Sequence, residues 1–309
     1  MKKIFLIIIL LAGIFAYGQK KQVCFTIDDL PVVSYGISDK AYQKHLFKKL
    51  VFSLKQNHIP AIGFVIGRNL YTDTVKNEFQ INLLKFWLNK GLDLGNHTYS
   101  HPDYNETNLK LYSDDIVKAE PVLKSLLKST NKTLQYFRHT YLYVGDTKEK
   151  ADSLEKFLAS RKYIAVPVTI NTEDYLFALA YKRAVEKKDN KLSKRIGIDY
   201  INYMEAKLIY YENQSVRLFN RDISQILLIH ASKLNSDYMN ELAAVYVKHN
   251  YSFVSIDDAL KDNAYKTKIT VFGKWGLSWI DQWALSQGKN VDFFKDNPQT
   301  PEYIKELAK

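Results

Sequence analysis

Two adjacent carboxylates, Asp28 and Asp29, end the apolar stretch VCFTI and are followed by Leu30 and Pro31. Further along, His97 and His101 stand four residues apart in NHTYSH. Two histidines at i and i+4 lie on one face of a helical turn and can share a metal. With a strand-end carboxylate they make a two-histidine, one-carboxylate set with positions left open for water, suited to hydrolysis by zinc or another divalent cation. One aspartate can take the metal. The other is left facing the water, where it can act as general base, held ionised by the cation and by Arg138 in FRHTY. A solvated Asp-Asp turn is the blander account of the same residues.

These groups need a frame. Seven strand-like segments recur along the chain: QVCFTI, AIGFVIG, GLDLGN, LQYFRH, YIAVPVTI, QILLIH and YSFVSI. Between the first five lie helical patterns, DKAYQKHLFKKLVFSLKQN, FQINLLKFWLNK, LYSDDIVKAEPVLKSLLKS and KEKADSLEKFLASRK, with apolar residues at three- and four-residue spacing. Strands alternating with helices imply parallel pairing, and seven such units imply an α/β, TIM-barrel-like fold one unit short of eight. Functional residues of such barrels sit on the loops after the strands. Strand one ends in Asp28 and Asp29, and strand three runs into His97 and His101. Strand four ends in Arg138, strand five leads to Asp174, and strand six ends in His230. Five of the seven strands thus deliver an ionisable group to one rim. Residues 174 to 222 are too long for a single crossover and predict two helices. The segment from about 262 adds an aromatic-rich extension, in which Trp275, Trp279 and Trp283 recur every four residues. At that spacing a core stripe is the more frequent reading, a sugar-stacking face the rarer one.

The chain has 309 residues and a formal charge of +11. It opens with MKK, an apolar run of about fourteen residues and the small-residue exit AYG, the layout of a secretory leader over residues 1–18. The run is short for a membrane span, so no stable insertion is expected after cleavage. The lysines are interleaved with acids, as in KRAVEKKDNKLSKR, which reads as a solvated helix face and not as a nucleic-acid motif. A single cysteine, Cys24, excludes an internal disulfide and reads as an inert buried thiol. Nothing in the sequence sets the oligomeric state. His45 and His58 read as surface or packing residues. Strand alternation turns His139 away from Arg138.

TIDDLP, HTYSH, FRHTY, NTEDY and ILLIH, in this order, resemble the five motifs of the polysaccharide deacetylases, the NodB-homology carbohydrate esterases, over roughly residues 22 to 258. The resemblance implies a distorted (β/α)7 barrel. It implies Asp28 as catalytic base, Asp29, His97 and His101 as metal ligands, and Arg138 as the residue holding Asp28. It further implies the backbone N–H of Tyr141 as an oxyanion donor, and His230 as general acid tuned by Asp174. The cofactor would be a divalent metal, Zn2+ first. The chain departs from the family pattern at Ile27, Leu30, Thr140, Asn171 and Tyr175. Leu30 stands where the family has glycine, which would change the loop conformation or narrow the groove near the metal.

The resulting expectation is an exported, periplasmic or extracellular bacterial hydrolase that removes N- or O-acetyl groups from a carbohydrate. The organisation would be a leader at 1–18, a barrel at 19–261 with a helical insertion at about 174–222, and an extension at 262–309. The rivals are hydrolysis of another non-peptide C–N bond, a non-catalytic glycan-binding protein on the same fold, and an envelope structural protein. Asn96 opens an Asn-His-Thr sequon beside the proposed metal and is expected to be unmodified.

Overall fold

The computed structural model describes residues 20–309. The leader expected at 1–18 lies outside the described residues.

In chain order the elements are β1 (Lys21–Leu30), α1 (Lys40–Gln56), β2 (Ile62–Val65), the short β3 (Tyr71–Thr72) and β4 (Val75–Lys76), α2 (Glu78–Asn89), β5 (Asp93–Asn96) and α3 (Leu109–Lys128). There follow β6 (Tyr136–Phe137), α4 (Lys148–Ser160), β7 (Ile164–Ala165), α5 (Asp174–Glu186), α6 (Asn190–Phe219), β8 (Gln225–His230), α7 (Lys233–Lys248) and β9 (Tyr251–Phe253). The chain ends through α8 (Ile256–Ala259), α9 (Trp279–Ser286) and α10 (Glu302–Ala308). All seven sequence-predicted strands are present, and the insertion is the expected helix pair, α5 and α6. The β3–β4 hairpin was not anticipated, because its two-residue strands are too short to carry a period.

The main sheet runs β7-β6-β5-β2-β1-β8, with every pair parallel. Val23 pairs with both Gln225 of β8 and Phe253 of β9. β1 therefore takes β8 along one edge and, along the other, β9 at its start and β2 at its end. The fifth predicted strand, YIAVPVTI, breaks in two. Its first part pairs with β6, while Ile170 bridges Leu227 of β8, and both Thr169 and Ile170 N–H donate to Ile226 O at 3.0 Å. Pro167 lies between the halves and has no N–H to offer a ladder, which is where a strand changes partner. This transfer curls the parallel sheet into a barrel-like ring.

Period-two alternation then sorts each strand. On β1, Val23, Phe25 and Ile27 join the large core formed with the outer helices. Cys24 lies in a second, inner cluster with Ile62, Phe64, Tyr136, Val166 and Ile226. Burial pushes the Cys24 thiol up to about 12, so it is inert at neutral pH. Above Cys24 on the same face come Thr26 and Asp28. The inner cluster thus plugs the barrel below the position where the strand-end polar groups converge.

Residues beyond 262 form a strap that climbs one side of the barrel. Trp283 is fully buried, stacked edge-on against Phe219 and Tyr265, with its indole N–H donating to Thr267 O at 3.0 Å. Trp279 opens α9, whereas Trp275 precedes the helix and is 36% exposed. The three tryptophans therefore do not form one stripe: Trp283 is core and Trp275 is surface.

Candidate metal and acid–base site

Alternation alone would send Asp28 and Asp29 to opposite faces of the sheet. A register shift between Ile27 and Leu30 and a left-handed Asp29, at φ 62°, turn both into the barrel mouth. Leu30 then faces away from the mouth. It is fully buried, and its side chain occupies the space over Gly63 of β2, where a Cβ would lie 2.0 Å from Leu30 Cδ1. The expected narrowing of the groove does not occur, because a bare glycine on the neighbouring strand receives the extra side chain.

His97 follows β5 directly. Its Nδ1–H donates to Arg138 O at 2.9 Å, which leaves the Nε2 lone pair free. The segment to His101 is a loop and not the helical turn expected from the four-residue spacing. Thr98 and His101 both take positive φ, at 66° and 59°. Thr98 N–H donates to Asn96 Oδ1, His101 N–H to Thr98 Oγ1, and the N–H groups of Tyr99 and Ser100 to Asp115 of α3. This net brings the two imidazoles to 4.8 Å between ring centroids, edge to face. Asn96 is fully buried, its amide bonded to Ile116 O and Tyr163 Oη, and no glycan can reach it.

His97 Nε2 lies 3.4 Å and His101 Nε2 3.7 Å from Asp29 Oδ1, and the three donor atoms fall within 4.8 Å of one another. Burial opposes ionisation of Asp29, but the His97 contact and the charges of His230, His97 and His101 hold its carboxyl well below the ordinary range. Burial and the neighbouring His97 lower His101 to about 4, so its imidazole is neutral and able to ligate. Asp28 Oδ1 and Asp29 Oδ1 are buried without a hydrogen-bond partner. Two orphaned carboxylate oxygens beside two imidazole nitrogens form a donor set that fits a divalent cation.

Behind Asp28 sits Arg138, fully buried, its guanidinium 4.7 Å above the Phe64 ring. Nη2 donates to Thr26 Oγ1 at 2.8 Å, and Nε lies 3.8 Å from Asp28 Oδ1. Arg138 thus faces Asp28 as a charge, while its hydrogen bond goes to Thr26. His139 points the other way, against Phe137 at 5.2 Å and Trp279 at 6.2 Å, as alternation requires.

On the opposite side, His230 Nε2 lies 3.9 Å from Asp29 Oδ2. Its Nδ1 bonds Asp174 Oδ1 at 2.8 Å, and its own N–H donates to Asp174 Oδ2 at 2.9 Å. Asn235, on the first turn of α7, donates to Asp174 Oδ2 at 2.7 Å and to His230 O at 2.8 Å. Burial would lower His230, but the charge and hydrogen bond of Asp174, then Asp29 and Asp28, raise it to about 10. Tyr141 and Leu142 follow Arg138 at φ 54° and 58°, and the Tyr141 ring meets that of His101 at 4.5 Å. Tyr175, 46% exposed, stands 6.4 Å from His230. All eight sequence-selected residues gather around one mouth. Sequence reasoning missed Thr26, Asp115 and Asn235, which hold the others; their only signal was position, on the inward face of β1 or in the helices after β5 and β8.

Residues 16–156 match the family model for polysaccharide deacetylase. A peptidoglycan-N-acetylglucosamine deacetylase of Bacillus cereus is 32% identical over 108 residues, 35% of this chain and 33% of that protein. The match thus spans about a third of that relative's length. Among solved structures, a peptidoglycan N-acetylglucosamine deacetylase in complex with an N-oxidanyl-benzamide is 19% identical. It covers 78% of this chain and 88% of that one, with a TM-score of 0.50, and shows the shared fold. A peptidoglycan deacetylase from Bacillus subtilis is 18% identical over 78% of this chain and 91% of its own, with a TM-score of 0.49. The family match takes in Asp28, Asp29, His97, His101, Arg138 and Tyr141 and stops before Asp174 and His230.

Proposed function

We propose, from the match of residues 16–156 to the family model for polysaccharide deacetylase, that this chain is an exported, metal-dependent hydrolase that removes acetyl groups from a carbohydrate. The observation that carries the reading is the division of labour around Asp29. The two histidines approach it on one side and the Asp174-bound His230 on the other, with the unpartnered Asp28 beside them.

Asp29, His97 and His101 would hold the cation. A divalent metal there, zinc first, supplies Lewis acidity toward the acetyl carbonyl and toward water. Asp28, with Arg138 behind it, takes a proton from the attacking water as its oxygen bonds the acetyl carbon. The backbone N–H of Tyr141 donates to the oxyanion that develops on the former carbonyl oxygen. His230, protonated and held by Asp174 through Nδ1, donates from Nε2 to the departing nitrogen or oxygen as the bond to the acetyl carbon breaks. Free acetate and a deacetylated sugar result. Export is supported by the leader-like composition of residues 1–18. Among the described residues no helix is long and apolar enough to cross a membrane.

The test is acetate release from acetylated chitooligosaccharides, peptidoglycan and xylan, with zinc added or chelated, for wild type and Asp28→Asn. Release should depend on metal and fall by about 100-fold or more in the variant, with metal stoichiometry kept. Metal bound at one equivalent with no acetate from any glycan would shift the reading to another C–N bond, and no metal binding would end it.

A further inference from the structure

The C-terminal strap meets the Tyr141 loop backbone to backbone. A Cβ placed on Gly276 would lie 2.1 Å from Tyr141 O and 3.3 Å from the Tyr143 ring. The nearest obstacle is a main-chain atom, which cannot swing aside, so only a residue without a side chain allows this approach.

The strap is tied down on both sides of that point. Gly276 O accepts from Asn171 Nδ2 at 3.1 Å, in the loop that leads to Asp174. Trp279 N–H donates to Val168 O at 2.7 Å, at the end of the broken fifth strand. Lys274 pairs with Glu106 at 2.9 Å, beyond the His101 loop. The strap therefore spans three of the loops that build the mouth. Beneath it, Tyr141 and Leu142 both hold left-handed backbone that a non-glycine residue keeps only when its surroundings enforce it.

We propose that Gly276 is a positioning residue: seated by its bare Cα on the Tyr141 carbonyl, it makes the C-terminal extension the clamp that fixes the oxyanion donor. This rests on the deacetylase reading above. In this chain the extension is thus part of the catalytic apparatus, although none of its side chains touches the reacting atoms.

The experiment compares full-length, zinc-loaded wild type with Gly276→Ala. The clamp predicts that kcat for acetate release falls about tenfold or more, with KM within about twofold and zinc affinity unchanged. It also predicts that amide exchange in peptides covering residues 139–143 quickens about tenfold while that of β1 and β8 does not. Asn171→Ala, which removes a tie without adding an atom, should move both readouts the same way by less, and it decides the matter if Gly276→Ala does not fold. Wild-type kcat together with unchanged protection at 139–143 would overturn the proposal. So would a loss confined to KM or to zinc affinity. If wild type releases no acetate, the deacetylase reading fails by itself, and the exchange measurement still decides whether the strap clamps this loop.

Discussion

At the scale of single residues, the site is governed by which polar atoms are left without partners and which are over-supplied. Asp28 Oδ1 is orphaned beside a fully buried arginine, whereas Asp174 receives three donors, two from His230 and one from Asn235. That excess makes His230 a strongly held proton carrier, and the consequence can be measured in the metal-free protein. His230 rises from an ordinary 6.5 to about 10 on folding. A raised histidine stabilises the fold fully below pH 6.5 and loses that contribution as pH climbs through 10. With chelator present, the denaturant midpoint of wild type should decline across this window. Asp174→Asn should be less stable near pH 6, its decline should be shallower, and the two curves should converge toward pH 10. Parallel curves would show that the ion pair is not what holds His230.

At the scale of elements, a strand delivers a group to the mouth through parity, and exceptions to parity do the remaining work. The bulge and left-handed Asp29 break parity on β1, and Leu30 takes the place that Gly63 leaves open on β2. Leu30 is therefore a packing residue. Leu30→Gly should leave substrate KM within about twofold yet destabilise the protein by about 3 kcal/mol or more, since it empties a fully buried leucine site and frees the backbone. Urea unfolding alongside acetate-release kinetics checks both halves. A large KM change without loss of stability would restore Leu30 to the groove.

At the scale of the whole molecule, the strap packs on the helix pair, α10 against α5 and α9 against α6. Trp283 links the strap to α6 through Phe219 and is fully buried. Trp283→Ala should cost about 3–5 kcal/mol, enough to lower the melting temperature by about 10 °C in a chain of this size. A variant that melts as wild type does would mean that the strap is merely appended. Because the same strap rests on Tyr141, heating that loosens the strap should reduce activity before the barrel itself unfolds.

The seven strands, the four early helices and seven of the eight proposed site residues were legible in the residues alone; Tyr141 came only from the family resemblance. Strand parity and strand-end position are local properties, and the backbone obeys them without knowing its neighbours. Asp28, Arg138 and His230 could thus be named because each closes a recognisable apolar run. The resemblance of TIDDLP and HTYSH to known motifs set their roles. Other features depend on atoms distant in sequence. The helical turn expected for HTYSH is a loop because Asn96, Thr98 and Asp115 capture its N–H groups. The transfer of Thr169 and Ile170 to β8, the seating of Leu30 on Gly63 and the contact of Gly276 with Tyr141 each join residues that no local period relates. A sequence specifies which way a side chain points along its own strand. Only the folded chain decides what it meets there, because close packing is a property of pairs and not of positions.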